Sequence, residues 1–245
     1  MKQCTGTVVS NRPLTENVLE MRLACDTDAV RVPGQFVNVA VPGTYLRRPV
    51  SVCDRSAEGV TLVYRTVGKG TERMAAARPG ERFDLLTGLG NGYSVGKAGD
   101  APLLIGGGVG VPPLYWLAKA LAARGAHVTV LLGFNTVSEV FYEKEFAALG
   151  ARVITATADG SRGVRGFVTD ALPAEGCSCF YACGPVPMLK AVCAALAGPG
   201  EVSMEARMGC GFGACMGCSL PTKSGSRRIC REGPVFDREE LLWED

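Results

Sequence analysis

Residues 206–230, ARMGCGFGACMGCSLPTKSGSRRIC, place Cys210, Cys215, Cys218 and Cys230 in the spacing Cys-x4-Cys-x2-Cys-x11-Cys. Thiolates at this density bind soft metals. Three of them spaced by four and two residues, with a more distant fourth, form the pattern of plant-type [2Fe–2S] sites. Gly209, Gly211, Gly213 and Gly217 supply a backbone that can take positive φ, wrap closely and turn its amides toward sulfur. A structural zinc ion more naturally uses two Cys-x2-Cys pairs, and here only Cys215 and Cys218 make one. The spacing therefore favours [2Fe–2S], with zinc second and disulfides or free thiols last. Cys4, Cys25, Cys53, Cys177, Cys179 and Cys193 are expected as small buried hydrophobes on strands and helices.

A second group of residues suits nucleotides. IGGGVGVPP (105–113) follows a strand and opens a helix, so Gly106, Gly107, Gly108 and Gly110 would let a pyrophosphate approach the backbone and the helix start. A tight strand–helix turn without a ligand is the competing explanation, since the strict Gly-x-Gly-x-x-Gly pattern is not met. YACGPVP (181–187) ends a later strand, and ligands of open α/β sheets sit beyond the carboxyl ends of strands. Cys183, Gly184 and Pro185 should therefore share a crevice with the first turn, Cys183 being the candidate near a reactive nicotinamide ring. Earlier in the chain, Arg48, Pro49, Val50 and Ser51 (RPVS), Val63, Tyr64 and Arg65, and Gly70 with Thr71 could hold a second pyrophosphate through two arginines and a helix start. With His127 the only histidine, serine–histidine and cysteine–histidine catalysis lack raw material, and chemistry falls to bound cofactors.

The elements that must position these residues fall into three regions. From residue 2 to 87, TGTVVSN, NVLEMRLAC, QFVNVAV, RRPVSVC and GVTLVYRTV predict strands of a small antiparallel barrel. One helix from Thr71 through ERMAAA interrupts it, with Thr71 as N-cap, and 88–100 is expected as loop. From 102, strands and helices alternate, which predicts a parallel sheet covered on both faces. The last forty residues are too few for a core of their own and need a metal or a neighbour. The expected domains are 1–97, a barrel; 98–205, an α/β nucleotide domain; and 206–245, the cysteine-rich subdomain. A net charge of +2 without a basic run gives no reason to expect nucleic acid as partner. The N-terminus turns polar too early for a secretory signal, and glycines and prolines break the most apolar window, 101–121. No membrane span and a reducing cytoplasm are the expectation.

In order, RPVS, LVYRTVGKGT, GGGVGVPPLYWLAK, ADGSRGVRGFVTD, CGPVPML and EARMGCGFGACMGC resemble the ferredoxin–NADP reductase superfamily. More narrowly, they resemble the electron-transfer subunits of class 1B dihydroorotate dehydrogenases, over nearly the whole chain. The resemblance implies an antiparallel FAD-binding β-barrel, a Rossmann-like NAD-binding domain with a parallel sheet, and a small C-terminal [2Fe–2S] subdomain. RPVS, Val63–Arg65, Gly70 and Thr71 would serve FAD, the two glycine turns NAD(H), and the four cysteines the cluster. It further implies a relay from the FMN of a dihydroorotate dehydrogenase catalytic subunit, through [2Fe–2S] and FAD, to NAD⁺, in a heterotetramer of two of each chain. One departure stands out: Pro49 and Val50 occupy the place where many superfamily members have Arg-x-Tyr-Ser, so the flavin-stacking aromatic is missing from this motif. The alternatives are an NAD(P)H–ferredoxin oxidoreductase or a hydrogenase or sulfide-reductase subunit and, in another class, a zinc-stabilised interaction module without catalysis. The absence of a cation in Asn135–Glu139 predicts NADH over NADPH, with Arg162 and Arg165 as possible contrary contacts. Phe236, Leu241, Leu242 and Trp243 are expected either to pack inward or to join the cluster in a docking face.

Overall fold

The computed structural model describes residues 1–174 and 176–243. Its first part is a closed barrel of β1 (Lys2–Pro13), β2 (Val18–Ala24), β3 (Phe36–Ala40), β4 (Arg48–Arg55), β5 (Gly59–Arg65) and β6 (Arg82–Leu89), in the order β1-β2-β5-β4-β3-β6. Every pairing is antiparallel. Alternation drives closure: Met21, Leu23, Val37, Val39, Leu62 and Leu85 fill the interior, each worth about 1.5–3 kcal/mol when fully buried. β6 was not singled out from sequence, yet Phe83, Leu85, Thr87 and Leu89 alternate inward along it, and it seals the barrel by pairing with both β1 and β3. The interrupting helix, α1 (Lys69–Ala75), begins earlier than expected. Gly68 is its cap, while Thr71 sits a turn inside, where its hydroxyl accepts from the amides of Val67 (2.8 Å) and Gly68 (3.2 Å).

The second part alternates as anticipated: β7 (Leu103–Gly107), α2 (Pro113–Ala122), β8 (Thr129–Phe134), α3 (Glu143–Ala148), β9 (Arg152–Thr157), β10 (Val164–Arg165), β11 (Phe180–Cys183), α4 (Val186–Ala195) and β12 (Gly200–Ser203). β7 lies inside the sheet and all five of its residues are buried, as a strand covered on both faces requires. After the hairpin β13 (Ser219–Thr222) and β14 (Gly225–Arg228), the tail returns as β15 (Val235–Asp237) and pairs antiparallel with β12. The sheet order is β10-β9-β8-β7-β11-β12-β15, so the tail extends the nucleotide sheet and makes it mixed. α3 is short, because a 3-10 turn at Val137–Glu139 and left-handed Tyr142 (φ 69°) precede it.

That left-handed residue serves the contact between the two parts. The Tyr142 hydroxyl donates to Glu20 Oε2 (2.8 Å) on β2 and accepts from Cys53 Sγ (3.2 Å) on β4. Glu20 is only 2 % exposed and is paired with Arg12 Nε at 2.9 Å. A charge this deep requires such partners. Lys119 on α2 adds a bond to Asp54 of β4 (2.9 Å), and α2 packs across β4. Barrel and sheet are thereby fixed with one cleft between them.

Candidate functional site

The cleft holds 680 Å³ and opens between the outer face of β3–β4 and the carboxyl ends of the parallel strands. That position at the strand ends is where open α/β sheets bind nucleotides. Of the residues singled out from sequence, Pro49, Ser51 and Arg65 line it from the barrel, and Gly107, Gly108, Gly110, Cys183, Gly184 and Pro185 from the sheet. Gly110 abuts the second turn so closely that a Cβ there would lie 2.2 Å from the Cys183 carbonyl oxygen. Gly106 is buried behind the turn, its Cα facing Val111. Arg65 spans the two halves: a Cβ on Gly108 would stand 3.4 Å from Arg65 Nη2, and the buried Arg65 Nε has no partner. A buried guanidinium N–H without an acceptor is costly, and a phosphate oxygen would satisfy it.

The remaining barrel candidates lie away from the cleft surface. Strand alternation turns Val50 and Tyr64 into the barrel, where the Tyr64 hydroxyl meets Asn11 Oδ1 at 3.1 Å. Val63 packs with the core shared by α2. Arg48 lies over Gly70, where a Cβ would come within 2.2 Å of Arg48 Nε, so these two are brought together. Thr71 belongs to the α1 start already described.

Cys183 is half-buried in the cleft wall. Burial, reinforced by the Glu205 carboxylate and opposed by the Ser203 and Tyr93 hydroxyls, pushes its thiol up to about 12. It is therefore a neutral thiol across the physiological range. At the end of β8, Glu139 lines the cleft and accepts from the backbone N–H (3.3 Å) and Nδ2 (2.9 Å) of Asn135. A carboxylate there can accept from a ribose 2′-hydroxyl and repels a 2′-phosphate. Arg162 is held by Glu143, with Nη2 at 3.2 Å from the carboxylate. Phe36, Met188, Glu205 and Met208 also line the cleft and were missed from sequence. Nothing in their local sequence marks them, because loops and strand ends far apart in the chain converge on the cleft.

The four cysteines fall into two pairs, on the segment that follows the cleft-lining residues Met204 and Met208. Ala214 N–H (3.2 Å) and Cys215 N–H (3.4 Å) donate to Cys210 Sγ, Cys210 N–H donates to Cys215 Sγ (3.4 Å), and Cys230 N–H donates to Cys218 Sγ (3.5 Å). Among the described residues no three Cys, His, Asp or Glu side chains converge on a point as a single-ion site requires. Two thiol pairs wrapped by sulfur-directed amides fit a two-iron centre. Burial opposes ionisation of Cys210, but the amides of Phe212, Cys215 and Ala214 outweigh it and hold the thiol at about 6. Gly213 lets the loop close over Arg231, and Arg228 clamps it with a 2.6 Å bond to the Gly213 carbonyl and an ion pair to Glu232. Cys218 and Cys230 are buried, whereas Cys215 is exposed and flanked by Phe212 (40 %) and Met216 (53 %). Of the other cysteines, Cys53, Cys179 and Cys193 are buried as expected, while Cys4, Cys25 and Cys177 are only half-buried at element ends.

The tail mostly packs inward. Phe236 and Leu241 are buried and Trp243 leans on the same core, leaving Leu242 exposed. Arg238 bonds to the carbonyls of Cys193 (2.7 Å), Gly198 (3.3 Å) and Leu196 and lies 5.5 Å over the Phe180 ring, so it is a structural clamp. Among the described residues no helix is long and apolar enough to cross a membrane.

Comparison with known proteins bears on each half of this site. Residues 205–242 match the iron–sulfur cluster binding domain of dihydroorotate dehydrogenase B, and residues 104–194 match the oxidoreductase NAD-binding domain. The chain is 46% identical to a "Dihydroorotate dehydrogenase B (NAD(+)), electron transfer subunit" of Geobacillus sp. (strain WCH70), covering 99% of each chain. It is 43% identical to the protein of the same description from Fusobacterium nucleatum, over 94% of this chain and 95% of that one. Among solved structures, an NADH-dependent reduced ferredoxin–NADP oxidoreductase superposes with a TM-score of 0.87 at 29% identity, covering 97% of this chain and 90% of that one. The ferredoxin reductase of a carbazole 1,9a-dioxygenase, at 24% identity and a TM-score of 0.67 over 79% of this chain and 64% of that one, shares the fold.

Proposed function

Because the chain belongs to the family of dihydroorotate dehydrogenase B electron transfer subunits, we propose that it relays electrons from the FMN of a catalytic partner subunit to NAD⁺ in pyrimidine biosynthesis. The observation that carries this reading is a cleft at the strand ends whose lining segment, with Met204 and Met208, runs directly into a paired-cysteine loop. When bound, FAD exchanges electron pairs with NAD(H) and single electrons with [2Fe–2S]. The chain's own residues hold, orient and shield. Cys210, Cys215, Cys218 and Cys230 would hold the cluster, and the amides of Ala214 and Cys215 offset its negative charge. Arg65, with Arg48 and the backbone of Pro49–Ser51, Val63–Tyr64 and Gly70–Thr71, would hold FAD. Gly106, Gly107, Gly108 and Gly110 with Cys183, Gly184 and Pro185 would hold NAD(H), the neutral Cys183 thiol packing at the nicotinamide. Glu139 favours NAD(H) over its 2′-phosphorylated form.

The three functional units fall at 1–97, 98–205 and 206–245, with β15 tying the last to the sheet of the second. Exposed Phe212 and Met216 beside Cys215 form the apolar surface against which the FMN-containing subunit docks. The assembly is a heterotetramer of two of each chain, working in the cytoplasm. Anaerobically purified chain should carry one FAD and two irons. Cys215→Ser should abolish the reduced-cluster EPR signal while most FAD is retained. Zinc without iron in such a preparation would overturn the reading.

A further inference from the structure

Asn38, on β3, is 1 % exposed and is a polar residue among buried valines. Its Nδ2 donates to the carbonyl of Cys210 at 3.0 Å, a bond that crosses 172 residues of sequence from the barrel to the cluster loop. Gly211 makes the approach possible. Its φ is +76°, and a Cβ on it would lie 2.3 Å from Asn38 Nδ2. The Asn38 backbone is fixed as well, its carbonyl accepting from Arg47 Nη1 at 3.3 Å while the same guanidinium pairs with Asp84. The other end of the amide is anomalous. Asn38 Oδ1 is buried and has no donor. Leaving such an acceptor unpaired is unfavourable, so the bond to Cys210 is kept at a cost in stability.

The register indicates what that cost secures. Phe36 pairs with Ser51 and Asn38 with Pro49, and directly opposed residues share one face of a sheet. Phe36, Pro49 and Ser51 line the cleft on that face, while Asn38 lies further along it, outside the cleft lining, and carries the cluster loop. We infer that Asn38 is a positioning residue, its Nδ2–H fixing the Cys210 carbonyl so that the cluster loop is registered against the barrel face that lines the cleft. The inference rests on the assignment of FAD to the cleft and [2Fe–2S] to the cysteines. Electron transfer between the two sites is sensitive to small changes in that spacing.

Asn38→Leu removes the bond to Cys210 at similar volume, and Asn38→Asp replaces the donor facing Cys210 with a second acceptor. Gly211→Ala displaces the amide from the cluster side without altering the barrel. Three quantities decide: FAD dissociation from the holoprotein, the EPR spectrum and midpoint of the reduced cluster, and, by stopped flow with NADH, the ratio of cluster-reduction to flavin-reduction rates. Both Asn38 variants should keep FAD dissociation within threefold of wild type, because Asn38 lies outside the cleft lining. All three variants should lower the rate ratio at least tenfold, and Asn38→Asp should also lower the cluster midpoint. Normal iron and FAD in the wild type with all ratios within threefold would refute the role of Asn38 alone. Wild-type chain lacking iron or FAD would instead refute the cofactor assignment. Weaker FAD binding with an unchanged rate ratio and EPR spectrum would make Asn38 a flavin contact only and overturn the coupling.

Discussion

Gly110→Ala is the sharpest perturbation of the nucleotide cleft. The added Cβ would lie 2.2 Å from the Cys183 carbonyl oxygen, 2.5 Å from its carbon and 2.6 Å from the Gly184 nitrogen, all backbone atoms. A carbon–oxygen contact relaxes only near 3.2 Å, so the two turns must part by about 1 Å. Neither can yield cheaply, because β7 and β11 are hydrogen-bonded neighbours and Gly110 is buried between them. The overpacking should cost about 1–3 kcal/mol of stability. A displacement of about 1 Å in a nucleotide-positioning turn is worth about 100-fold in rate. The kcat/KM for NADH with a dye acceptor should fall by that factor while FAD and iron content hold. Gly107→Ala is the internal control. Its φ of −116° suits alanine, and the nearest clash is Met188 Sδ at 2.5 Å, the end of a flexible side chain. It should lose less than tenfold. Equal losses at the two positions, or a Gly110→Ala variant within threefold of wild type, would refute the claim that contact between the turns builds the NAD site.

Tyr142→Phe removes the hydroxyl shared by Glu20 and Cys53, so urea unfolding should show a loss of about 2 kcal/mol, as for a hydrogen bond to a buried charge. A loss below about 0.5 kcal/mol would mean that Arg12 and Arg22 satisfy Glu20 without the hydroxyl. Glu139→Lys should move the NADH/NADPH ratio of kcat/KM toward NADPH by about tenfold or more; an unchanged ratio would place the ribose elsewhere. Burial raises the Cys183 thiol from 9.0 to about 12, so hydride transfer should be level from pH 6 to 8.5. The same shift adds stability that is complete below about pH 9 and is lost toward pH 12, because the unfolded thiol ionises first. A rate that rises through neutral pH and levels with the Cys183→Ser variant would show a working thiolate instead.

Much of this architecture was legible in order and composition. The cysteine spacing survives as two thiol pairs because it is a local property of one loop, and the strand–helix alternation survives because its periodicity is strong. What sequence could not supply lies across long separations. β6 is a plain half-buried strand whose meaning appears only when it closes the barrel. β15 joins the sheet beside β12 without a sequence signal, since a three-residue strand carries little pattern. Thr71 fits both an N-cap and a residue that caps backward from the first turn, and only the start at Lys69 decides. Val50 and Tyr64 alternate into the barrel and Val63 is covered by the core around α2, which a motif quoted as a string conceals. Asn38 carries no motif at all, and its place beside Cys210 comes from the tertiary fold.

The account stands most directly on one reconstitution. Purified chain, the FMN-containing catalytic subunit and their mixture are each given dihydroorotate and NAD⁺ under anaerobic conditions, and NADH and orotate are followed together. Only the mixture should form NADH, in equal amount to orotate, and a mixture made with the Cys215→Ser chain should form none. NADH formation from dihydroorotate by this chain alone, or undiminished formation with the Cys215→Ser chain, would contradict a relay through the cysteine loop.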